Sequence, residues 1–298
     1  MIKHFAFIIL FLTVLLCHAT GTANDSTGKH EITIMTYNVK LLPRGAVFLH
    51  HHPVIRARLI PAKLISENPD VIVFEEAFDG AAIRALKKRL KAAYPYIAGQ
   101  DNRRVVTYKR AGGVLIFSKY PLKEIESIGY SQCKGVDCYG NKGAILVEVE
   151  HPAMKFQLLG THMQAGGKHD LKLSQYHEAA ELLERHVQAG IPQFIAGDFN
   201  THKGDTTLYP YLVNALKAED GVIDNEEKAL EGHAQNDMRE NKSNKSKKNK
   251  GVIDYVFVKQ NGVKFISLQR YSKQFQQPWN AKHKDLSDHF SVILKVKL

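Results

Sequence analysis

Gln193–Phe194–Ile195–Ala196–Gly197–Asp198–Phe199–Asn200–Thr201 is a short apolar run that ends abruptly in polar residues. The stretch from Ile191 to Ala196 follows Gly190 and contains Pro192. It is too short for a core helix, so it reads as a buried strand. Gly197 supplies freedom to turn. Asp198 and Asn200, two positions apart, then project to the same side. A carboxylate and an amide at the carboxyl end of a buried strand can hold a phosphate, a metal ion or a water. The same residue types also build ordinary turns, so the rest of the chain has to decide.

Working outward, Glu31 to Val39 alternates apolar and polar residues as a half-buried strand does, and delivers Asn38 near its end. Leu41 to Gly45 and His50 to His52 form a loop whose adjacent histidines point in different directions and read as solvated. A short helix begins near Arg56, contains Pro61 and stops at Asn68–Pro69. Asp70 to Phe74 is a second buried strand, ending in Glu75–Glu76. Asp79 caps a helix with Ile83, Leu86 and Leu90 on one face. Tyr94 to Tyr108 holds two short strands, Gly112 to Ser118 another. Gly143 to Val149 and Phe156 to Gly160 form a hairpin whose second arm runs into His162. The longest helix, Asp170 to Ala189, carries Leu173, Tyr176, Ala180, Leu183 and Val187 on one face, and Thr206 to Lys217 is also helical. Val252 to Val258 resumes the sheet, Val263 to Gln269 is its partner, and Phe290 to Leu298 is the last strand, entered through Ser287–Asp288–His289.

The ends of the chain and its charge set the setting. Lys3 followed by the apolar run Phe5 to Leu16 and the small residues Gly21–Thr22–Ala23 reads as a signal peptide over residues 1–23, short of the roughly 20 apolar residues of a membrane span. The protein is therefore expected to be secreted, with residues 24–298 forming one domain. Cys133 and Cys138 read as a small disulfide loop in that context. Two free thiols are the alternative, and half a zinc site lacks a second pair of ligands. The net charge is +11, and the basic stretch 236–250 reads as a mobile loop inside the domain. Such a balance suits polyanions or an anionic membrane surface as well as plain solvation.

Strands alternating with helices, with hairpins between, imply an α/β sandwich of layered sheets. Five strand ends carry Asn38, Glu76, His162, Asp198 with Asn200, and Asp288 with His289. If those strands lie side by side, all meet on one rim. Carboxylates suit a hard cation, the two histidines suit proton transfer, and the amides suit phosphate oxygens. Magnesium needs few protein oxygens because it keeps several waters. The set suits phosphodiester hydrolysis by a metal-activated water. Asp254 sits inside an apolar strand, where an unpaired carboxylate is costly, and His289 is its natural partner.

The blocks Thr36–Tyr37–Asn38–Val39, Glu76, Gly160–Thr161–His162, Gly197–Asp198–Phe199–Asn200, Ile253–Asp254–Tyr255 and Ser287–Asp288–His289 resemble, in that order, the endonuclease/exonuclease/phosphatase superfamily. Asn38 to Pro43, Glu76 to Asp79, Asn141–Lys142–Gly143 and Gly160 to Ala165 look most like secreted bacterial neutral sphingomyelinases. The resemblance implies a four-layer sandwich of two mixed, mainly antiparallel β-sheets flanked by helices (DNase I-like). It implies that Glu76, with Asn38 nearby, holds magnesium and that Asp198 orients the attacking water. Asn200 would hold a phosphate oxygen, His289 paired with Asp254 would be the general base, and His162 would serve the leaving oxygen. Asp288 would touch a second cation. Three departures stand out: Glu75 replaces a usual Asn, Ala111 replaces a frequent Asp, and the stretch with Phe275 and Trp279 lacks a longer aromatic hairpin. The leading expectation is a monomeric Mg-dependent phosphodiesterase acting on sphingomyelin or another membrane phospholipid. A secreted nuclease acting on nucleic acid is the alternative, and a surface-binding protein with a silent site is a weaker third.

Overall fold

The computed structural model describes residues 30–43, 51–99, 112–225, 236–238 and 252–298. The expected signal peptide, most of the basic loop, Ala111, His50 and the second strand expected before Tyr108 lie outside the described residues. In chain order the elements are β1 (Glu31–Leu41), α1 (Pro53–Glu67), β2 (Val71–Ala77), α2 (Gly80–Leu90), β3 (Tyr96–Ala98), β4 (Leu115–Ser118), β5 (Leu122–Gly129), β6 (Gly143–Glu150), β7 (Lys155–His162), α3 (His169–Arg185), β8 (Gln193–Asp198), α4 (Leu208–Leu216), β9 (Asp254–Lys259), β10 (Ser267–Lys273) and β11 (Ser291–Lys297).

Six strands form one sheet in the order β10-β11-β1-β2-β4-β3, and five form the other in the order β5-β6-β7-β8-β9. Among the described residues, β1–β2 and β7–β8 are the parallel ladders and the other ladders are antiparallel. Alternation sorts the side chains between two cores. Ile32, Ile34, Val71 and Val73 of the first sheet meet Leu158, Leu159 and Ala196 of the second in the core that also takes in α3 and α4. Met35, Tyr37, Ile72 and Phe74 turn the other way, against Ala57, Ile60 and Leu64 of α1 and Ile83 and Leu86 of α2. The result is four layers, helix, sheet, sheet, helix, as expected from the sequence.

Local rules hold where they depend on neighbouring residues. The Asp79 carboxylate accepts from the Ala81 and Ala82 amides at 3.0 and 2.8 Å and starts α2. α1 starts earlier than expected, because Pro53 occupies the first turn, where its missing N–H is no loss; Pro61 is accommodated inside the helix. α3 stops at Arg185, and its buried face is Lys172, Gln175, Tyr176, Ala179, Leu182 and Leu183. The expected face is thus rotated, and Val187 is left exposed beyond the helix end.

Three expectations are corrected by pairing. Val263 to Gln269 is not the partner of the strand containing Asp254. β10 begins at Ser267 and pairs with β11 in the other sheet. β5 was not foreseen: its residues, LKEIESIG, are only partly covered at a sheet edge and show no clean period of two. Gly197 lies within β8 and does not make the turn. A Cβ there would stand 2.0 Å from the Thr161 carbonyl oxygen across the parallel β7–β8 pair, so close approach of two strands requires the glycine.

Candidate functional site

The expected residues do meet on one rim, but the strands that carry them do not lie side by side in one sheet. β1 and β2 bring Asn38 and Glu76 from the six-stranded sheet, and β7, β8 and β9 bring His162, Asp198 and Asp254 from the five-stranded one. The turn before β11 adds Asp288 and His289. The rim is therefore the mouth between the two sheets.

An irregularity in β1 and β2 shapes that mouth. Residues Asn38 and Glu75 are paired, then the register shifts before Leu41 and Ala77. Lys40 and Glu76 take positive φ of 44° and 54° at this point, unusual for side-chain-bearing residues. By strand parity Glu75 faces the other sheet with Val71 and Val73. It is fully buried and accepts from Thr36 Oγ1 at 2.6 Å. The bulge turns Glu76 to the rim. Arg56, fully buried on α1, holds the bulge in place by donating to Val39 O at 2.7 Å, Lys40 O at 2.5 Å and Leu286 O at 2.8 Å. In the sequence Arg56 is marked only by its place near the start of a helix.

At the centre, the Asn38 amide nitrogen donates to Glu76 Oε1 at 3.2 Å and to Asp198 Oδ2 at 3.0 Å. Asn38 Oδ1 accepts from the Lys40 N–H. The amide thus draws two carboxylates together. Glu76, His162 and Asp198 place ligand atoms within 4.8 Å of one another, as do Asp198, Asp254 and His289. Burial, followed by the Asp254 charge, pushes Asp198 up to about 6. Burial and then the Asp288 charge raise Glu76 above its ordinary value. Two carboxylates of raised pKa held at one point form an oxygen-rich, negative pocket that a divalent cation would relieve, and their oxygens fit magnesium.

The two histidines are tuned in opposite directions. His289 Nδ1 lies 2.8 Å from Asp254 Oδ2 and its Nε2 lies 3.9 Å from Asp198 Oδ2. Burial disfavours its cation, yet Asp254, Asp198 and Asp288 outweigh that and raise its pKa well above the ordinary range. His162 is nearly sealed from solvent. Burial first, then Lys142 and His289, lower its pKa well below the ordinary value. Its Nε2 is 3.5 Å from Asp198 Oδ2 and 3.3 Å from Asn200 Nδ2. Asn200, at φ 49°, donates its side-chain amide to Met163 O at 2.9 Å and its N–H to Asp198 Oδ1 at 2.8 Å.

Asp288 stands slightly apart. Its Oδ2 is in an ion pair with Lys40 Nζ at 2.7 Å. Burial raises it, but His289 and Lys40 together carry it below its ordinary value. Ser287 Oγ donates to Asn38 O at 2.6 Å and so ties the segment bearing His289 to β1. Lys172 on α3 donates to Asn200 O, a contact no motif announced; a lysine on the same face as Gln175 and Tyr176 was the available sign. The Cys133–Cys138 disulfide is present, so neither free thiols nor a zinc half-site applies.

Residues 35–289 match the Endonuclease/Exonuclease/phosphatase family. The chain belongs to that family. The chain is accordingly a phosphodiester hydrolase, and the rim between its sheets is the candidate site. Among curated relatives of this family member, a protein named Sphingomyelinase C from Leptospira interrogans is 30% identical over 64% of this chain. A Sphingomyelinase C from Listeria ivanovii is 25% identical over 96% of it. The chain spans 38% of the length of the first and 92% of the second. Of solved structures, one of beta toxin 275-280 from Staphylococcus aureus matches with a TM-score of 0.74 at 23% identity, over 88% of this chain and 99% of that chain. A mutant of that toxin with two alanine substitutions, described with bound magnesium ions, matches with a TM-score of 0.70 at 23% identity, over 89% and 99%.

Proposed function

We propose that this chain is an exported, magnesium-dependent sphingomyelin phosphodiesterase, with residues 1–23 as its signal peptide, that releases ceramide and phosphocholine. The observation that carries the chemistry is the His289–Asp254 pair at 2.8 Å, aimed at Asp198 across a mouth that also holds Glu76 and His162. The choice of substrate is supported by the names of full-length and partial relatives.

Glu76 and Asp198 would hold the cation, with Asn38 fixing their spacing. When bound, magnesium supplies positive charge against a phosphate oxygen. Asp198 orients a water against the phosphorus. With a bound cation offsetting the carboxylate charges that raise its pKa, His289 Nε2 would take a proton from that water as it attacks, while Asp254 keeps the proton on Nδ1 and stabilises the imidazolium. Asn200 offers its amide hydrogens to a phosphate oxygen. The bond from phosphorus to the ceramide oxygen breaks; His162, held neutral by burial, steadies that oxygen with an N–H hydrogen bond while it takes up a proton from solvent, and His289 later returns its proton to solvent. Asp288 positions Lys40 at the edge of the mouth and stands where a second cation would be met.

The deciding assay offers purified protein with magnesium three substrates side by side: sphingomyelin, phosphatidylcholine and plasmid DNA. Phosphocholine release from sphingomyelin is the expected result. Plasmid nicking without phosphocholine release would replace this reading with that of a secreted nuclease.

A further inference from the structure

The two most exposed large apolar side chains among the described residues are neighbours that take no part in the chemistry: Val136, 82% exposed, and Tyr139, 87% exposed. Both belong to the 3₁₀ turn Gly135–Gly140 inside and just beyond the disulfide loop. Residues three apart eclipse one another on such a turn, so the two side chains stand on one side of it. The turn has no buried residue of its own, yet polar contacts pin it from beneath. Asp137 pairs with Lys142 at 3.0 Å and accepts from Gln164 Nε2 and the Ala165 N–H. Ser131 donates through both its N–H and its hydroxyl to Glu178 of α3. The disulfide closes the base.

An ordinary surface loop turns its apolar groups inward and its charges to water. This one does the reverse and is held rigid while doing so, which suits a surface that meets an apolar medium. It also borders the site. Lys142 Nζ donates to Met163 O at 2.9 Å, the carbonyl that also accepts from Asn200. The aromatic residues of the stretch before Ser287 cannot serve instead, because Phe275 and Trp279 are buried, Trp279 with its indole N–H on Asp285 O.

We propose that Val136 and Tyr139 enter the interfacial layer of a zwitterionic phospholipid bilayer and seat the catalytic mouth against the headgroups. The inference rests on the phospholipid reading above. A bilayer is the fitting occupant because the knob itself is uncharged, with Asp137 neutralised by Lys142. Tyrosine, apolar in its ring and polar at its tip, also suits the interface between lipid and water. The exposed Lys134 beside it can reach lipid phosphates.

The test is the V136S/Y139S double variant, whose exposed positions leave folding untouched. Binding is read by co-sedimentation with sphingomyelin–phosphatidylcholine vesicles in chelator, so that no turnover intervenes. Vesicle partitioning is expected to fall by about tenfold or more. With magnesium, hydrolysis of vesicle sphingomyelin should fall in parallel, while hydrolysis of a soluble chromogenic phosphodiester stays unchanged. Unchanged partitioning would overturn the proposal, and so would equal loss on vesicle and soluble substrates. If partitioning falls as expected but neither protein cleaves sphingomyelin, the docking stands and the substrate assignment fails.

Discussion

A histidine and an aspartate meet at each end of the sandwich, and the two pairs behave differently. At the mouth, Asp254 Oδ2 holds His289, while Asp254 Oδ1 and the nearby Glu75 Oε2 are buried with no hydrogen-bond partner among the described residues. Asp198 is pushed up to about 6 there. At the far end, Asp70 faces His151 at 3.6 Å, accepts from the Thr33 N–H at 2.8 Å and pairs with Lys119 at 3.2 Å. Burial raises Asp70, but His151, Thr33 and Lys119 together carry it below its ordinary 3.8. His151 Nδ1 in turn accepts from the Ala153 N–H at 3.1 Å. One end is a set of carboxylates whose demands the protein alone does not meet. The other is a fastener in which both Asp70 oxygens have partners, while His151 Nε2 stands 3.6 Å off with no hydrogen bond of its own among the described residues. Unmet carboxylate charge of this kind marks a candidate place for a cation and a substrate.

Breaking each pair should therefore damage different properties. His289→Ala is expected to lower turnover by about 10²–10⁴-fold with its circular dichroism unchanged, because the attacking water loses its proton acceptor. Asp254→Asn should be similarly severe, since an amide can support the wrong tautomer. His151→Ala should instead leave turnover close to normal and lower Tm. Equal loss of turnover in the His151 and His289 variants would erase the distinction between the two ends.

The metal half of the comparison is tested by Glu76→Gln. The magnesium concentration for half-maximal activity should rise by at least the roughly 10–100-fold that follows loss of an outer-shell partner. Activity should partly return at high magnesium. An unchanged magnesium titration would remove Glu76 from the cation site.

Asp70→Asn tests the fastener. Losing hydrogen bonds to a buried charge costs about 1.5–3 kcal/mol, which in a domain of this size is a Tm drop of several degrees. The sign of the pH effect follows from the lowered pKa. Asp70 contributes its stability above its unfolded-state value near 3.8 and loses it as pH falls through the lower folded value. The variant should therefore show a smaller loss of stability between neutral pH and about pH 3, measured by thermal melts. A steeper acid loss in the variant would contradict the assignment.

The smallest effect concerns the basic stretch. Its first residues are anchored, contrary to a loop that is mobile throughout. The Asn236 side-chain amide donates to Ser287 O at 2.8 Å, and Asp237 accepts from the Lys284 N–H at 2.8 Å. Deleting 239–250 while keeping 236–238 should weaken binding to anionic vesicles at low salt, with about 1 kcal/mol per basic residue near the surface as the upper scale. Turnover on detergent-dispersed substrate should be unaffected. Loss of both would place the stretch within the pocket.

The residues proposed to carry chemistry were legible as strand ends because their signals are local. Apolar runs ending in Asn38, Glu76, His162 and Asp198 announced strand ends, Asp79 announced a cap, and a carboxylate inside Val-Ile-Asp-Tyr-Val demanded a partner that His289 supplies. What the tertiary structure alone decided is pairing and facing. A period of two says that β10 is a strand but not that it joins β11 instead of β9, because the partner is chosen by burial across the whole sheet. Glu75 and Glu76 are adjacent and identical in type. One is buried beneath the site and the other faces the mouth only because a bulge with positive φ reverses the parity at that point. Gly197 looked like a hinge in the chain and proved to be a contact between strands, since the Thr161 carbonyl that forbids any side chain there comes from 36 residues earlier. Conformational preference is written in neighbouring residues, whereas close approach depends on what the rest of the chain brings alongside.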